Sequence, residues 1–368
     1  MPEKKLADRA CTELVERVRD AIRLRGYSIR TEKAYLHWYE RYVRFHQLRH
    51  PSTMGTPEAC PEPAEGIEAF LTHLVTDEQI SASTQTQALS ALLFLYRNVL
   101  RLPLDDLDIV RARRTTYVQP YLSHDECLRI LAQLDPVPYL VACLLYGGGL
   151  RLLEALRLRI KDLDFENLLI TLHDTKSNRD RVTFLPDDEQ FLQRLRAHLE
   201  RVRRLYACPD EGRDAHTDAP VSMPPALARK YPAADKSCRV GAAQEWQYVF
   251  PSRDLSVDPR TLAVKRHHLH PSGVQRVITA AVHAAGIPRR ATGHTLRAAF
   301  AHRLKEAGCQ LDDIQKLMGA EHSLSHADIR TTPTNASLQH YLEGQTPAHQ
   351  RLRGPLSSPG LAARTGKN

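Results

Sequence analysis

No run in this chain approaches the roughly 20 consecutive apolar residues that a bilayer-crossing helix needs, so no transmembrane span and no membrane partner are expected. The opening MPEKKLADRACTELVERVRD has no apolar core of the secretory kind, and a cytoplasmic location is the expectation. Cysteine is sparse and unpatterned: seven residues, at 11, 60, 127, 143, 208, 238 and 309, odd in number, scattered, with no C-x-x-C pair. They read as free thiols, so neither a structural zinc nor a disulfide framework follows. G-x-x-x-x-G-K-[ST] and G-x-G-x-x-G are both missing, which removes the loops that cradle nucleotide phosphates and, with them, ATP. No cofactor and no metal are expected.

What is present leans basic. The 368 residues carry 51 Lys+Arg against 43 Asp+Glu, a net charge of +8, which favours a polyanionic partner. A composition 42% hydrophobic and 26% charged is that of an ordinary globular chain and excludes wholesale disorder. At about 100–200 residues per domain, the length implies two domains.

Leu14, Val18 and Ile22, then Tyr35, Trp38, Tyr39 and Tyr42, recur at three- and four-residue spacing, with Gly26-Tyr27-Ser28 between them. That pattern predicts two amphipathic helices over 12–46. The same stretch carries Arg17, Arg19, Arg23, Arg25, Arg30, Lys33, Arg41 and Arg44. The plainer account is core rings beside a solvated basic face; the functional one gives Arg30, Lys33 and Arg44 to a nucleic-acid backbone. Helices over 66–76 and 83–101 complete a four-helix domain, 15–103, after a tail over 1–14. PSTMGTPEACPEPAEG (51–66) is a loop or insertion, and 104–120, acidic then basic and closed by Pro120, is a linker.

From 121 to 344 the pattern is mixed: helices over 123–134, 136–146 and 153–158, a strand, turn and strand over 162–186, and helices over 188–206, 271–285 and 294–307. Residues 207–260 are rich in Pro, Ala, Asp and Arg with little periodicity, and 345–368 form a basic tail. The fold class expected is mainly α with a small β-sheet: a helical N-terminal domain and an α+β second domain.

Three places carry candidate chemistry. Arg151 follows Gly147-Gly148-Gly149-Leu150 and precedes Glu154 at i+3, putting a planar guanidinium fork beside a tight turn that a ligand backbone can approach. Lys176 lies in the polar turn 174–180, where a flexible ammonium can reach a leaving oxygen. His294 and Arg297 share a helical face at i, i+3 and can hold two phosphate oxygens, with Leu296, Phe300 and Leu304 on the core side. Each alone is commonplace: an Arg–Glu pair on a helix is usually a salt bridge, and a turn lysine is usually just solvated. Trp246, Tyr248 and Phe250 alternate as a strand would present them, while Arg229, Lys230, Lys265, Arg266, His267 and His268 supply cations; of these, Arg229, Lys230, Arg266, His267 and His268 are assigned, with Trp246, to DNA. Such rings stack on unpaired bases for about 1–3 kcal/mol each. The competing reading packs Trp246 and Phe250 in the core, and Phe250 is assigned there.

Together these segments point to a family. LLYGGGLRLLEALRLRIKDLDF, KSNRDRVTFLP, and GHTLRAAFAHRLKEAG followed by IQKLMG and HADIRTT resemble the boxes of tyrosine recombinases. ALARKYPAAD, EWQYVFPSRDLSVDPR and KRHHLHPSGVQR are similar to the additional region of integron integrases, here about 207–270. RVRDAIRLRGYSIRTEKAYLHWYERYVRFH is similar to their N-terminal DNA-clamping, core-binding domain. The resemblance covers about 15–332. It implies a clamp on double-stranded DNA and on folded single-stranded recombination sites, a homo-tetramer on DNA, and strand exchange without metal. A tyrosine hydroxyl attacks a backbone phosphate, leaving a 3′-phosphotyrosyl link and a free 5′-hydroxyl. The resemblance gives Arg151 and Arg297 the non-bridging oxygens, Lys176 the role of general acid and His294 assistance in proton transfer. Glu154 would support Arg151, and His326 would steady the phosphate. The additional region implies recognition of extrahelical bases, through Trp246, His267 and His268 among others.

The chain departs from the family pattern after Leu317-Met318-Gly319. Six extra residues, AEHSLS, precede His326, which leaves His322 as a competitor for its place. Three places beyond Thr332, where the family has its tyrosine, stands Asn335, and an amide cannot form the phosphotyrosyl bond. Two readings follow. Tyr341 substitutes, displaced by six residues or about 9 Å of helix, or strand cleavage is impaired or lost; the second is the expectation.

Overall fold

The computed structural model describes residues 2–51, 62–102, 104, 107–113, 122–173, 180–206, 220–223, 225–231, 245–258 and 262–319, the side chains of 2–12, 205–206 and 225–226 aside. The chain divides into two units, Met1–Val118 and Gln119–Asn368.

In the first unit, α1 (Pro2–Leu24) turns Leu14, Val18 and Ile22, four residues apart, into one fully buried stripe. It begins inside the stretch read as a tail, because residues 2–12 are good helix formers with no internal breaker. Gly26, at φ +68°, reverses the chain, and Ser28 starts α2 (Ile29–Phe45) by accepting the Thr31 N–H. Trp38, Tyr39 and Tyr42 are buried as expected, and the Tyr42 and Tyr96 hydroxyls meet at 2.9 Å. α3 (Pro63–Thr76) opens on proline, which has no N–H to waste in a first turn. α4 (Ala82–Phe94), capped by Ser81, runs on into a π-helical turn, Leu95–Leu100. The described part of the linker packs on this unit: Leu104, Leu107 and Ile109 lie against its core. The Gln85 amide donates to the Val110 carbonyl (2.7 Å) and accepts the Ala112 N–H (2.9 Å).

The second unit is built around α6 (Pro136–Gly147), whose VPYLVACLLYG run is apolar on every side and buried throughout from Tyr139 to Gly147. α5 (His124–Ala132), α8 (Glu189–Tyr206), α10 (Pro271–Ala284) and α11 (Gly293–Glu306) supply the other longer elements, with the short α7 (Leu152–Arg157), α9 (Pro225–Lys230) and α12 (Leu311–Met318). Three antiparallel strands, β1 (Leu163–Asp164), β2 (Leu169–Leu172) and β3 (Arg181–Phe184), pair in that order, with Leu172 opposite Arg181 and Leu169 opposite Phe184. Phe184, Phe300, Leu304, Ile314 and Leu317 form a separate buried cluster that ties β3, α11 and α12 together.

A second hairpin, β4 (Pro251–Val257) with β5 (Val264–His268), lies in the stretch where little periodicity was legible. Its residues are mostly exposed or half-buried, so no apolar alternation marks it. Trp246, Tyr248 and Phe250 do not form a regular strand; only an isolated bridge joins Tyr248 to Arg159. Phe250 is fully buried in the core, as assigned, whereas Trp246 is half-buried. Cys127 and Cys143 are buried free thiols. Among the described residues, no group of three or more His, Cys, Asp or Glu is placed to hold a metal, and no helix is long and apolar enough to cross a membrane.

Candidate active site

The glycine run after α6 has a steric reason. Gly149 sits at φ +65°, and a Cβ there would lie 2.5 Å from the Phe300 ring, so a side chain is excluded by both backbone and neighbour. The turn delivers Arg151 to the start of α7. Glu154, in the first turn, accepts the Arg151 backbone N–H at 2.8 Å and its Nη1 at 2.7 Å.

Arg297 reaches the same place from α11. It is 3% exposed, donates to the Gly149 carbonyl, and brings Nη1 within 3.6 Å of Glu154 Oε2. Arg181, at the start of β3, is also buried and donates from Nη2 to Glu154 Oε2 at 2.6 Å. Three guanidiniums from three elements therefore converge on one carboxylate. The end of α12 completes the pocket: Arg181 donates to the Leu317 carbonyl, Arg297 to Met318, and Arg151 to Gly319 at 2.8 Å. Those carbonyls are the ones a helix C-terminus leaves without intrahelical partners, and they carry its partial negative charge. Gly319 is at φ +57°, and a Cβ there would come within 2.8 Å of Arg181 Cδ.

The electrostatics follow from this crowding. Burial works against the Glu154 carboxylate, but Arg181 beside it and the bonds from Arg151 outweigh it and hold its pKa below the ordinary value. Burial, then repulsion from Arg151 and Arg181, pulls Arg297 down to about 9, which leaves it cationic at pH 7. Burial lowers Arg181 as well. His294, exposed one turn before Arg297, is lowered by shielding of its ring and then by Arg297 and Arg151, so its imidazole is neutral at pH 7. Three cations facing one carboxylate leave an excess of positive charge in a partly desolvated pocket, the arrangement that holds an anionic oxygen.

Sequence reasoning anticipated Arg151, Glu154, Arg297 and His294, and the structure brings Arg151, Glu154 and Arg297 into contact. It missed Arg181. No signal in the sequence marked it: R-V-T-F puts the arginine in phase with Thr183, and only the structure shows that phase to be the buried one. Lys176, His326, Asn335 and Tyr341, together with 320–325 and His322, lie outside the described residues.

Of the residues assigned to DNA, Arg30, Lys33 and Arg44 are exposed along one stripe of α2, Arg44 paired with Glu40 at 2.6 Å. Arg41, by contrast, lies over the Trp38 ring and pairs with Glu78. Arg229 and Lys230 are exposed on α9. The Trp246 ring is contacted by the Tyr231 ring (5.1 Å between centroids) and by Lys161 Nζ (4.6 Å). Arg266 departs from expectation: it is 3% exposed and donates to the Ser252 and Arg253 carbonyls, so its guanidinium ties the hairpin together. The two histidines expected as cations are corrected too. Burial pushes His268 down to about 4, with Nδ1 donating to the Leu269 carbonyl, and burial followed by Arg157 lowers His267. At pH 7 both are neutral rings, and His267 stacks on Tyr248 with 15° between planes.

The sequence and the fold agree with known proteins. Residues 14–106 match the phage integrase N-terminal SAM-like domain, and residues 120–336 match the phage integrase family. Over 322 residues, 87% of this chain and 88% of the relative, the sequence is 40% identical to an integrase/recombinase of Escherichia coli and equally to one of Pseudomonas aeruginosa. It is 27% identical over 286 residues to the tyrosine recombinase XerC of Lactobacillus leichmannii, covering 74% of this chain and 78% of that one. The fold is shared with XerH site-specific recombinase in a pre-cleavage complex with its difH substrate (TM-score 0.51, 16% identity, 84% of this chain and 79% of that chain). It is also shared with a lambda integrase tetramer bound to a Holliday junction (TM-score 0.50, 14% identity, 85% and 75%). These are tyrosine recombinase folds. The chain belongs to the phage integrase family, and its function in coarse terms is that of a site-specific recombinase or integrase.

Proposed function

We propose that this protein is a DNA recombinase of the integron integrase type whose strand-cleaving step is impaired. Arg151 and Arg297 take the non-bridging oxygens of one backbone phosphate, and Glu154 fixes Arg151. Neutral His294 assists proton transfer, Lys176 is the general acid for the leaving 5′-oxygen, and His326 steadies the phosphate. Arg30, Lys33 and Arg44 contact the DNA backbone, while Trp246 and the region around it meet extrahelical bases of folded single-stranded sites, in a homo-tetramer on DNA. The observation that carries this reading is the convergence of Arg151 and Arg297 on the Glu154 carboxylate, with positive charge to spare. Impairment rests on Asn335 at the position three beyond Thr332, and on six added residues directly after α12. A second reading, in which Tyr341 is the displaced nucleophile, is kept because it is a tyrosine only six positions further along.

A nicked DNA substrate that traps the covalent intermediate separates them. The proposal expects salt-sensitive DNA binding without a denaturation-resistant adduct, and recovery of the adduct in Asn335→Tyr with 320–325 deleted. An adduct formed by the natural chain and lost in Tyr341→Phe establishes Tyr341 as nucleophile. Absence of salt-sensitive binding would sink both readings.

A further inference from the structure

Arg181 has no part in the proposed reaction, yet it sits at the centre of the pocket. Its side chain is 7% exposed and spends both terminal nitrogens, one on Glu154 Oε2 at 2.6 Å and one on the Leu317 carbonyl. Stability alone does not call for an arginine here. A buried ion pair exchanged whole, both partners together, for apolar side chains of similar volume is often neutral or stabilising.

What an arginine alone supplies is a fork with two fixed directions. One arm holds Oε2 of Glu154, leaving Oε1 to take a single arm of Arg151; the other holds the last turn of α12, whose Met318 and Gly319 carbonyls face Arg297 and Arg151. With Arg181 gone, Glu154 Oε2 loses its 2.6 Å partner and keeps only the Arg151 backbone N–H at 2.8 Å and Arg297 Nη1 at 3.6 Å, so the carboxylate is drawn toward the Arg151 side chain and competes with an oxyanion for it. Gly319, whose missing Cβ leaves room for the Arg181 stem, fits the same design.

We infer that Arg181 is a positioning residue: through Glu154 and the end of α12 it sets the aim of the two arginines that bind phosphate. This rests on the phosphate-binding role proposed for Arg151 and Arg297. It makes β3 part of the active site even though no atom of Arg181 touches the substrate.

Inorganic phosphate, titrated into the full-length protein at constant ionic strength and followed by calorimetry, tests it. The pocket's share of binding is the part lost in Arg151→Ala. Arg181→Met is expected to weaken that share about tenfold, the scale of one charge-assisted hydrogen bond. Adding Glu154→Gln to Arg181→Met is expected to cost little more than either change alone. Should Arg181→Met fail to fold, Arg181→Lys serves instead: it keeps the charge, cannot span both acceptors, and is expected to bind phosphate several-fold more weakly than the natural chain. Arg151-dependent binding that is unchanged in the Arg181 variants overturns the inference and leaves the phosphate reading standing. If the natural chain shows no Arg151-dependent binding, the phosphate reading fails, and the role of Arg181 fails with it.

Discussion

Glu154 is the residue on which the pocket's charge balance turns, because it is the carboxylate that Arg151, Arg181 and Arg297 share. Removing one member of a buried ionic group leaves the others desolvated without compensation, so Glu154→Gln is expected to lower unfolding free energy by about 3 kcal/mol in urea titrations. The pH dependence has a definite sign. Folding lowers the pKa of Glu154, so its contribution to stability is complete above its ordinary value of 4.5 and is lost as pH falls through the lower folded value. The acid limb of the stability profile is therefore expected to flatten in Glu154→Gln, and an unchanged limb would remove the carboxylate from this role. Arg151, Glu154 and Arg297 were legible in the sequence because turn chemistry and helical spacing put them in recognisable company. Arg181 was not, since a lone arginine beside a polar turn reads as solvated until the strand's inward phase is known. Arg266 misled for the opposite reason: its neighbours Lys265 and His267 make a basic run, and only the pairing of β4 with β5 turns its side chain inward.

At the scale of elements, two glycines with nearly the same backbone have different work. Gly26 lies at φ +68° with nothing within 4 Å of where a Cβ would stand, whereas Gly149 lies at φ +65° with the Phe300 ring 2.5 Å from that point. Gly26→Ala is expected to cost about 1 kcal/mol, the strain of a left-handed residue alone. Gly149→Ala adds a clash in a packed core and is expected to cost on the order of 3 kcal/mol, and to loosen Arg151 with it. Equal losses in chemical denaturation would mean that Phe300 yields easily and the turn is not held from α11. Elements with one buried face could be read in advance: α1 from Leu14, Val18 and Ile22, and β2 and β3 from their apolar runs. The hairpin of β4 and β5 exposes most of both faces and so left no period to read. α12, eight residues long, is too short for a repeating pattern to stand out from its loop.

For the whole molecule, the net charge of +8 is a statement about partners. Each phosphate contact made on DNA adds about 0.9 to the slope of log affinity against log salt. Arg30→Ala and Lys33→Ala are each expected to reduce that slope by about 1 while weakening all sequences alike. Among the described residues neither side chain is held in an ion pair, so truncation removes little else. A slope that stays constant would show that this stripe of α2 does not face the DNA backbone. Two units and their family boxes were legible from length and motifs. The position of the nucleophile was not, because six added residues break the register on which the counting depends.

The most direct test of the central claim is a crystal structure of the full chain grown with vanadate, a tetrahedral stand-in for the phosphate under attack. The expected result is an oxyanion held by the guanidiniums of Arg151 and Arg297, with the Met318 and Gly319 carbonyls released from them. Vanadate bound elsewhere, with both arginines still on those carbonyls at saturating concentration, would contradict it.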